Sequence, residues 1–235
     1  MIKPWEKINS RRPISWMPKT ILYLTRHGST LLNEGSRFRG SSDVPLSDLG
    51  RDQARNIHRI LQSHKIEAII TSPRPRAIET AEIVISGHLD GTGKQIQPKV
   101  VKGLDSVFYG PWEGKTLEEC EAMDPEKMKT FREHISELDM GGEKLEDLAK
   151  RSIAELVQLC EENPGKEVVA VTHQICTRTI ICSLLNAPLD SYWSVGQDAA
   201  CINILEYHGK GKFHVRVVNY VEGIFDHVSE ETKAW

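Results

Sequence analysis

Two histidines and several arginines stand immediately beyond apolar runs in this chain. Arg26 and His27 follow ILYLT (residues 21–25), Arg74 and Arg76 follow IEAIIT (66–71), and His173 closes EVVAVTH (167–173). Short apolar runs of this kind fit strands buried on both faces. In an open α/β sheet, groups just past the carboxyl ends of such strands converge on one crevice. Two imidazoles and at least two guanidiniums gathered there make a cationic pocket whose natural occupant is a phosphate dianion, with helix N-termini adding to the pull. The chemistry then divides into roles. A neutral imidazole can attack phosphorus and form a phosphoenzyme, splitting one displacement into two. Guanidinium forks suit the equatorial oxygens that hold charge through the transition state. A second imidazole can donate a further hydrogen bond, and an acid must protonate the leaving oxygen and later activate water.

The segments between these groups have the periodicity to hold them. In LSDLGRDQARNIHRILQSH (46–64), Leu49, Ala54, Ile57, Ile60 and Leu61 recur at helical spacing, and Ser47 can cap the start. SPRPRAIETAEIVI (72–85) predicts a helix after its second proline, and HQICTRTIICSLLN (173–186) predicts another. Alternation of strand and helix is an α/β pattern. CINILEYH and FHVRVVNY (201–208 and 213–220) alternate as strands, with HGKG between them as a hairpin turn. Residues 111–164 differ: they are rich in Glu, Lys and Met, helical around 116–137 and 143–161, and divided by Gly141–Gly142. The expected organisation is an N-terminal extension (1–19), a single domain (20–220) with a helical cap inserted at about 104–164, and a C-terminal tail (221–235).

Composition narrows the function classes. With 235 residues, 39% of them hydrophobic, the chain can bury one sizeable core. A net charge of −3 gives no electrostatic argument for nucleic acid or a membrane surface. No apolar run approaches the ~18 residues a spanning helix needs. MIKPWEKINSRRPISWMPK carries basic residues but no apolar segment, so it is not expected to be a secretory signal. The five cysteines (Cys120, Cys160, Cys176, Cys182 and Cys201) are odd in number and lack C-x-x-C spacing, which predicts reduced thiols in a cytoplasmic protein. No H-E-x-x-H occurs and the nine histidines show no paired ligand spacing, so no metal or other cofactor is expected.

An ordered series of motifs resembles the histidine phosphatase superfamily, in its phosphoglycerate mutase-like branch. The series runs TRHGSTLLN (25–33), RFRGSSDVPLSDLGRDQA (37–54), TSPRPRAIETA (71–81), FYGPWEGKT (108–116), GGEKLEDLAKR (141–151) and VTHQICTR (171–178). The resemblance implies a three-layer sandwich with a mostly parallel central sheet, helices on both faces and an inserted helical cap, acting without a metal. It makes His27 similar to the phosphorylated nucleophile, Arg26 to its phosphate-binding neighbour, and Asn33 to the asparagine that closes the phosphate site. Arg76 resembles the second arginine and His173 the second histidine. A homodimer is also compatible with the resemblance.

The departures concern proton transfer and the pocket wall. The family's glutamate four residues before the glycine of F-G-x-W-E-G is here Ser106, and the nearest carboxylate is Asp105, the candidate acid. Glu113 is expected to be structural. Gln174 follows the second histidine where glycine is common, and Lys144 replaces the serine common after G-G-E. With Arg37 and Arg39, Lys144 would favour substrates carrying a second anionic group. The expected activity is hydrolysis of a small phosphorylated metabolite through a phosphohistidine on His27. Arg39 stands where dedicated mutases carry serine, which favours hydrolysis over mutase-type phosphoryl transfer. The missing glutamate is the one feature that favours a noncatalytic phosphate-binding protein.

Overall fold

In a computed structural model, residues 19–31, 37–139 and 143–222 are described. The two ends, Asn33 and the Gly141–Gly142 pair therefore lie outside the described residues, and with them most of the expected extension and tail. Six strands form one sheet: β1 (Thr20–Arg26), β2 (Ile66–Thr71), β3 (Lys99–Val100), β4 (Glu167–Thr172), β5 (Ile202–Tyr207) and β6 (Phe213–Tyr220). Their order is β3-β2-β4-β1-β5-β6. The first four in that order run parallel. β5 pairs antiparallel with β1, and β6 antiparallel with β5, so the expected hairpin closes one edge.

The two faces follow from the two-residue period of a strand. Tyr23 of β1, Ile69 of β2 and Val169 and Val171 of β4 pack with α1 (Asp48–Leu61) and α2 (Pro75–Ile85). Leu22 and Leu24, Ile70, and Val168 and Ala170 point the other way, onto α5 (Leu145–Glu162) and α6 (Gln174–Leu184). This is the three-layer α/β sandwich, and its inner strands β1, β2 and β4 are mostly apolar because both faces are covered. The Ser47 hydroxyl accepts from the Gly50 amide at 3.1 Å, a cap worth about 1 kcal/mol to α1. Pro75 sits in the first turn of α2, where its missing N–H costs nothing.

The cap is smaller than residues 104–164. Its helices are α3 (Leu117–Met123), started by a Thr116–Glu119 capping box, and α4 (Pro125–Glu133), restarted at Pro125 after Asp124. They pack over Phe38, Trp112 and Phe131, whose rings meet at centroid distances of 5.1–5.8 Å. α5 instead lies in the sandwich. Its buried Leu148, Leu156, Leu159 and Cys160 join the core that includes Val168 and Ala170 of the sheet. The Glu- and Lys-rich composition of the segment concealed this, because the charges line the outer side of an otherwise apolar helix. β3 also went unread: two exposed residues leave no periodic signal.

Candidate active site

β1 and β4 end side by side, and the backbone there brings the two histidines together. The His27 amide donates to the Thr172 carbonyl at 3.0 Å, and His173 occupies the N-cap position of α6. The rings stand edge to face with centroids 5.1 Å apart. The loop carrying His27 is pressed onto the start of α1: a Cβ on Gly28 would collide with the Gly50 carbonyl, and one on Gly50 with the Ser29 carbonyl. Glycine at both places permits that approach.

Hydrogen bonds assign the nitrogens. His27 Nδ1 is 2.7 Å from the Gly28 carbonyl, which can only accept, so Nδ1 carries the proton and Nε2 the lone pair. Arg76 Nε donates to that Nε2 at 3.2 Å. Arg76 Nη2 reaches His173 Nδ1 at 3.2 Å, and His173 Nε2 lies 2.7 Å from the Ser72 hydroxyl. Arg76 is itself only 4% exposed and is held by the carbonyls of Ser42 at 2.6 Å and Gly40 at 3.0 Å. Arg26 Nη1 donates to the Gln197 carbonyl at 2.7 Å.

Burial and the guanidiniums act in one direction on the imidazoles. Burial first, then Arg76 and Arg26, hold His27 well below its ordinary pKa. Burial, Arg76 and then His27 do the same to His173. Burial, with Arg74 next, lowers Arg76 only to about 10, so it stays cationic near neutrality. The outcome is neutral imidazoles beside charged guanidiniums, the combination a nucleophilic attack on a dianion requires.

A cavity of about 180 Å³ opens over these groups. Arg26, His27, Arg76 and His173 line its floor, and Arg37, Arg39, Ser106 and Gln174 its wall. Arg37 is tied to the Gly114 carbonyl at 2.8 Å, and Gln174 Nε2 donates to the Gln197 carbonyl at 3.2 Å. An aromatic side, formed by Phe38, Tyr109, Phe131, Tyr192 and Trp193, was not foreseen. Tyr192 and Trp193 come from a 3-10 helix (Leu189–Ser194) too short to carry a helical period, and nothing in their spacing marks them as pocket residues. Ser72 was likewise missed.

Two of the expected site residues are placed differently. Lys144 is at the N-cap of α5 and is not among the residues lining the cavity, because α5 packs into the sandwich core through Leu145, Leu148 and Leu156. Asp105 faces Arg74 instead of the cavity: Oδ1 accepts from Nε at 2.7 Å and Oδ2 from Nη2 at 2.8 Å. Asp105 Oδ1 also accepts from the Ser106 amide at 2.8 Å. Arg74 itself bonds the Ser41 carbonyl and Asp43. Arg151, forked onto Glu143, pins the carbonyls of Gly103 and Asp105 at 2.8 Å each and so fixes this loop. Glu113 is structural, accepting from the amides of Ser41 and Tyr109 at 3.0 and 2.9 Å.

Known proteins share this sequence pattern and fold. The sequence profile described as the histidine phosphatase superfamily (branch 1) matches residues 22–220. Glucosyl-3-phosphoglycerate phosphatase of Mycolicibacterium vanbaalenii is 31% identical over 182 residues, 74% of this chain and 78% of that protein. Phosphoserine phosphatase 1 of Hydrogenobacter thermophilus is 28% identical over 188 residues, 78% of this chain and 85% of that one. Among solved structures, Bacillus stearothermophilus YhfR superposes with a TM-score of 0.78 at 33% identity, covering 86% of this chain and 98% of that chain.

Proposed function

The chain belongs to the histidine phosphatase superfamily, branch 1, and is a phosphatase; from that premise we propose that it hydrolyses a small phosphorylated metabolite through a phosphohistidine on His27. The observation that carries the reading is the commitment of His27 Nδ1 to the Gly28 carbonyl, which leaves the Nε2 lone pair facing the cavity beside Arg76. On substrate entry, Arg76 turns its fork from the imidazoles to the phosphoryl oxygens, with Arg26 and His173 as further donors. Nε2 then attacks phosphorus in line with the leaving oxygen, and water later releases the phosphate. Asn33 is proposed to close the phosphate site.

Asp105 is proposed as the proton-transfer group. Its fork with Arg74 holds the carboxylate away from the cavity, and the fork must open for Asp105 to reach the leaving oxygen or the attacking water. Arg37 and Arg39 support a substrate with a second anionic group, and the aromatic residues lining the same cavity support an organic body stacked on rings. Two relatives are named for phosphatase activity on a glucosyl phosphoglycerate and on phosphoserine, which are small phosphorylated molecules with a further anionic group. All five thiols are free and buried, in keeping with a reducing compartment such as the cytoplasm. Among the described residues no helix is long and apolar enough to cross a membrane.

The test is phosphate release across a metabolite panel, without added metal, for the wild type, His27→Ala and Asp105→Asn. Turnover abolished in His27→Ala supports the reading, and the best substrate identifies the physiological class. Turnover surviving in His27→Ala overturns it.

A further inference from the structure

At the edge of the sheet away from the catalytic crevice, the β5–β6 hairpin gathers three metal-ligating side chains that the mechanism does not use. Glu206 and His208 are two residues apart and so share a face. Glu206 pairs directly with His214 across the hairpin, which places the second imidazole on the same side. The rings of His208 and His214 have centroids 4.4 Å apart. One ligand atom from each of the three residues can be chosen such that all lie within 4.8 Å of one another.

We propose that Glu206, His208 and His214 bind a divalent transition metal of the zinc class. Two imidazoles and one carboxylate are a donor set that zinc accepts, with water completing the shell. Zinc–ligand bonds of about 2.0–2.2 Å require only that the side chains close by roughly 1 Å from their present spread. His208 Nε2 is buried, makes no hydrogen bond, and lies 3.7 Å from Glu206 Oε2. A buried polar atom of this kind is under-satisfied and calls for a partner.

The carboxylate divides its two oxygens. Oε1 holds Lys19 at 2.5 Å and lies 3.8 Å from Arg216, while Oε2 faces His208. The two cations oppose a metal ion at long range, but their side chains are 52% and 61% exposed, where solvent screens them and leaves them room to turn away. Glu206 itself is 8% exposed, so its free oxygen has few competitors from water.

The site is distinct from the catalytic one. Thr20 pairs with Tyr207 at the start of β1 and His27 follows its end, so at about 3.3 Å per residue the two sites are roughly 20 Å apart. The cluster is not legible in the sequence because the five residues between His208 and His214 match no helical ligand spacing; only the antiparallel register brings the rings together. An ion here would tie the turn of the hairpin to its strands.

Zinc titrated calorimetrically into the full-length, metal-stripped protein tests the proposal. One saturable site per chain is expected, weakened at least about 100-fold in His208→Gln and in His214→Gln, since loss of a ligand should cost no less than loss of an outer-shell contact. Arg216→Gln should bind more tightly than the wild type, because a competing cation is gone. Cobalt should give visible absorption bands that disappear in the same histidine variants. Phosphatase activity should be unchanged in all three. No saturable binding by the wild type, or binding of equal strength in both histidine variants, overturns the proposal, the second result locating the ion elsewhere.

Discussion

Arg76 Nε donates to His27 Nε2 across 3.2 Å, so the guanidinium rests on the lone pair proposed to attack phosphorus. The same side chain reaches His173 and is fixed by three backbone carbonyls of the 39–42 loop. Burial first and then Arg76 hold both imidazoles well below their ordinary pKa. With substrate, Arg76 is proposed to turn to the phosphoryl oxygens.

Replacing Arg76 by Ala removes a preorganised cation from the transition state. Loss of one such donor costs about 3–4 kcal/mol, so kcat/KM should fall roughly 10²–10³-fold. Steady-state kinetics on the best substrate checks this. Arg76→Lys should recover little, because a point charge cannot span both histidines and the phosphoryl oxygens as a planar fork does.

The two buried histidines set a pH dependence of stability. Their folded pKa values are depressed by burial and by Arg76, while in the unfolded chain they titrate near ~6.5. Between the folded values and ~6.5 the unfolded state binds more protons, so stability rises with pH and is lost as pH falls below ~6.5. Denaturant melts across this range should show that slope. His27→Phe or His173→Phe should reduce it, and inorganic phosphate, which favours protonated imidazole, should flatten it.

Much of this candidate site is legible in the sequence, because Arg26 closes and His27 follows one unmistakable apolar run, His173 follows another, Arg76 opens the helix after a third, and the parallel order of β2, β4 and β1 then brings them together. The cap boundary and the aromatic side of the pocket are not legible. α5 is assigned to the sandwich by its inner face alone, and Tyr192 and Trp193 reach the cavity through a tertiary contact that no local period encodes. Asp105 shows a third limit. Its position beside Ser106 is readable, but its partner Arg74, 31 residues earlier, is found only in three dimensions.

That partner makes Asp105 testable. If Asp105 transfers the proton, Asp105→Asn should slow alkyl phosphates by about 10²–10⁴-fold and aryl phosphates with good leaving groups far less. Equal losses on both substrate types would assign Asp105 to holding its loop.

Gly28→Ala tests the packing beneath the nucleophile. The added methyl has no space against the Gly50 carbonyl, so the loop must lift from α1. The expected cost is about 1–3 kcal/mol of stability, together with a larger fall in kcat than in substrate binding, because His27 is displaced by the shift. Thermal melts and kinetics on the same preparation separate the two effects.

The measurement closest to the central claim is acid-free rapid quench of the enzyme with phosphorylated substrate, followed by peptide mapping of the phosphorylated residue. Phosphate on Nε2 of His27, formed and lost at rates that account for turnover and absent in His27→Ala, is the predicted result. Turnover at the full rate with His27 never phosphorylated would contradict it.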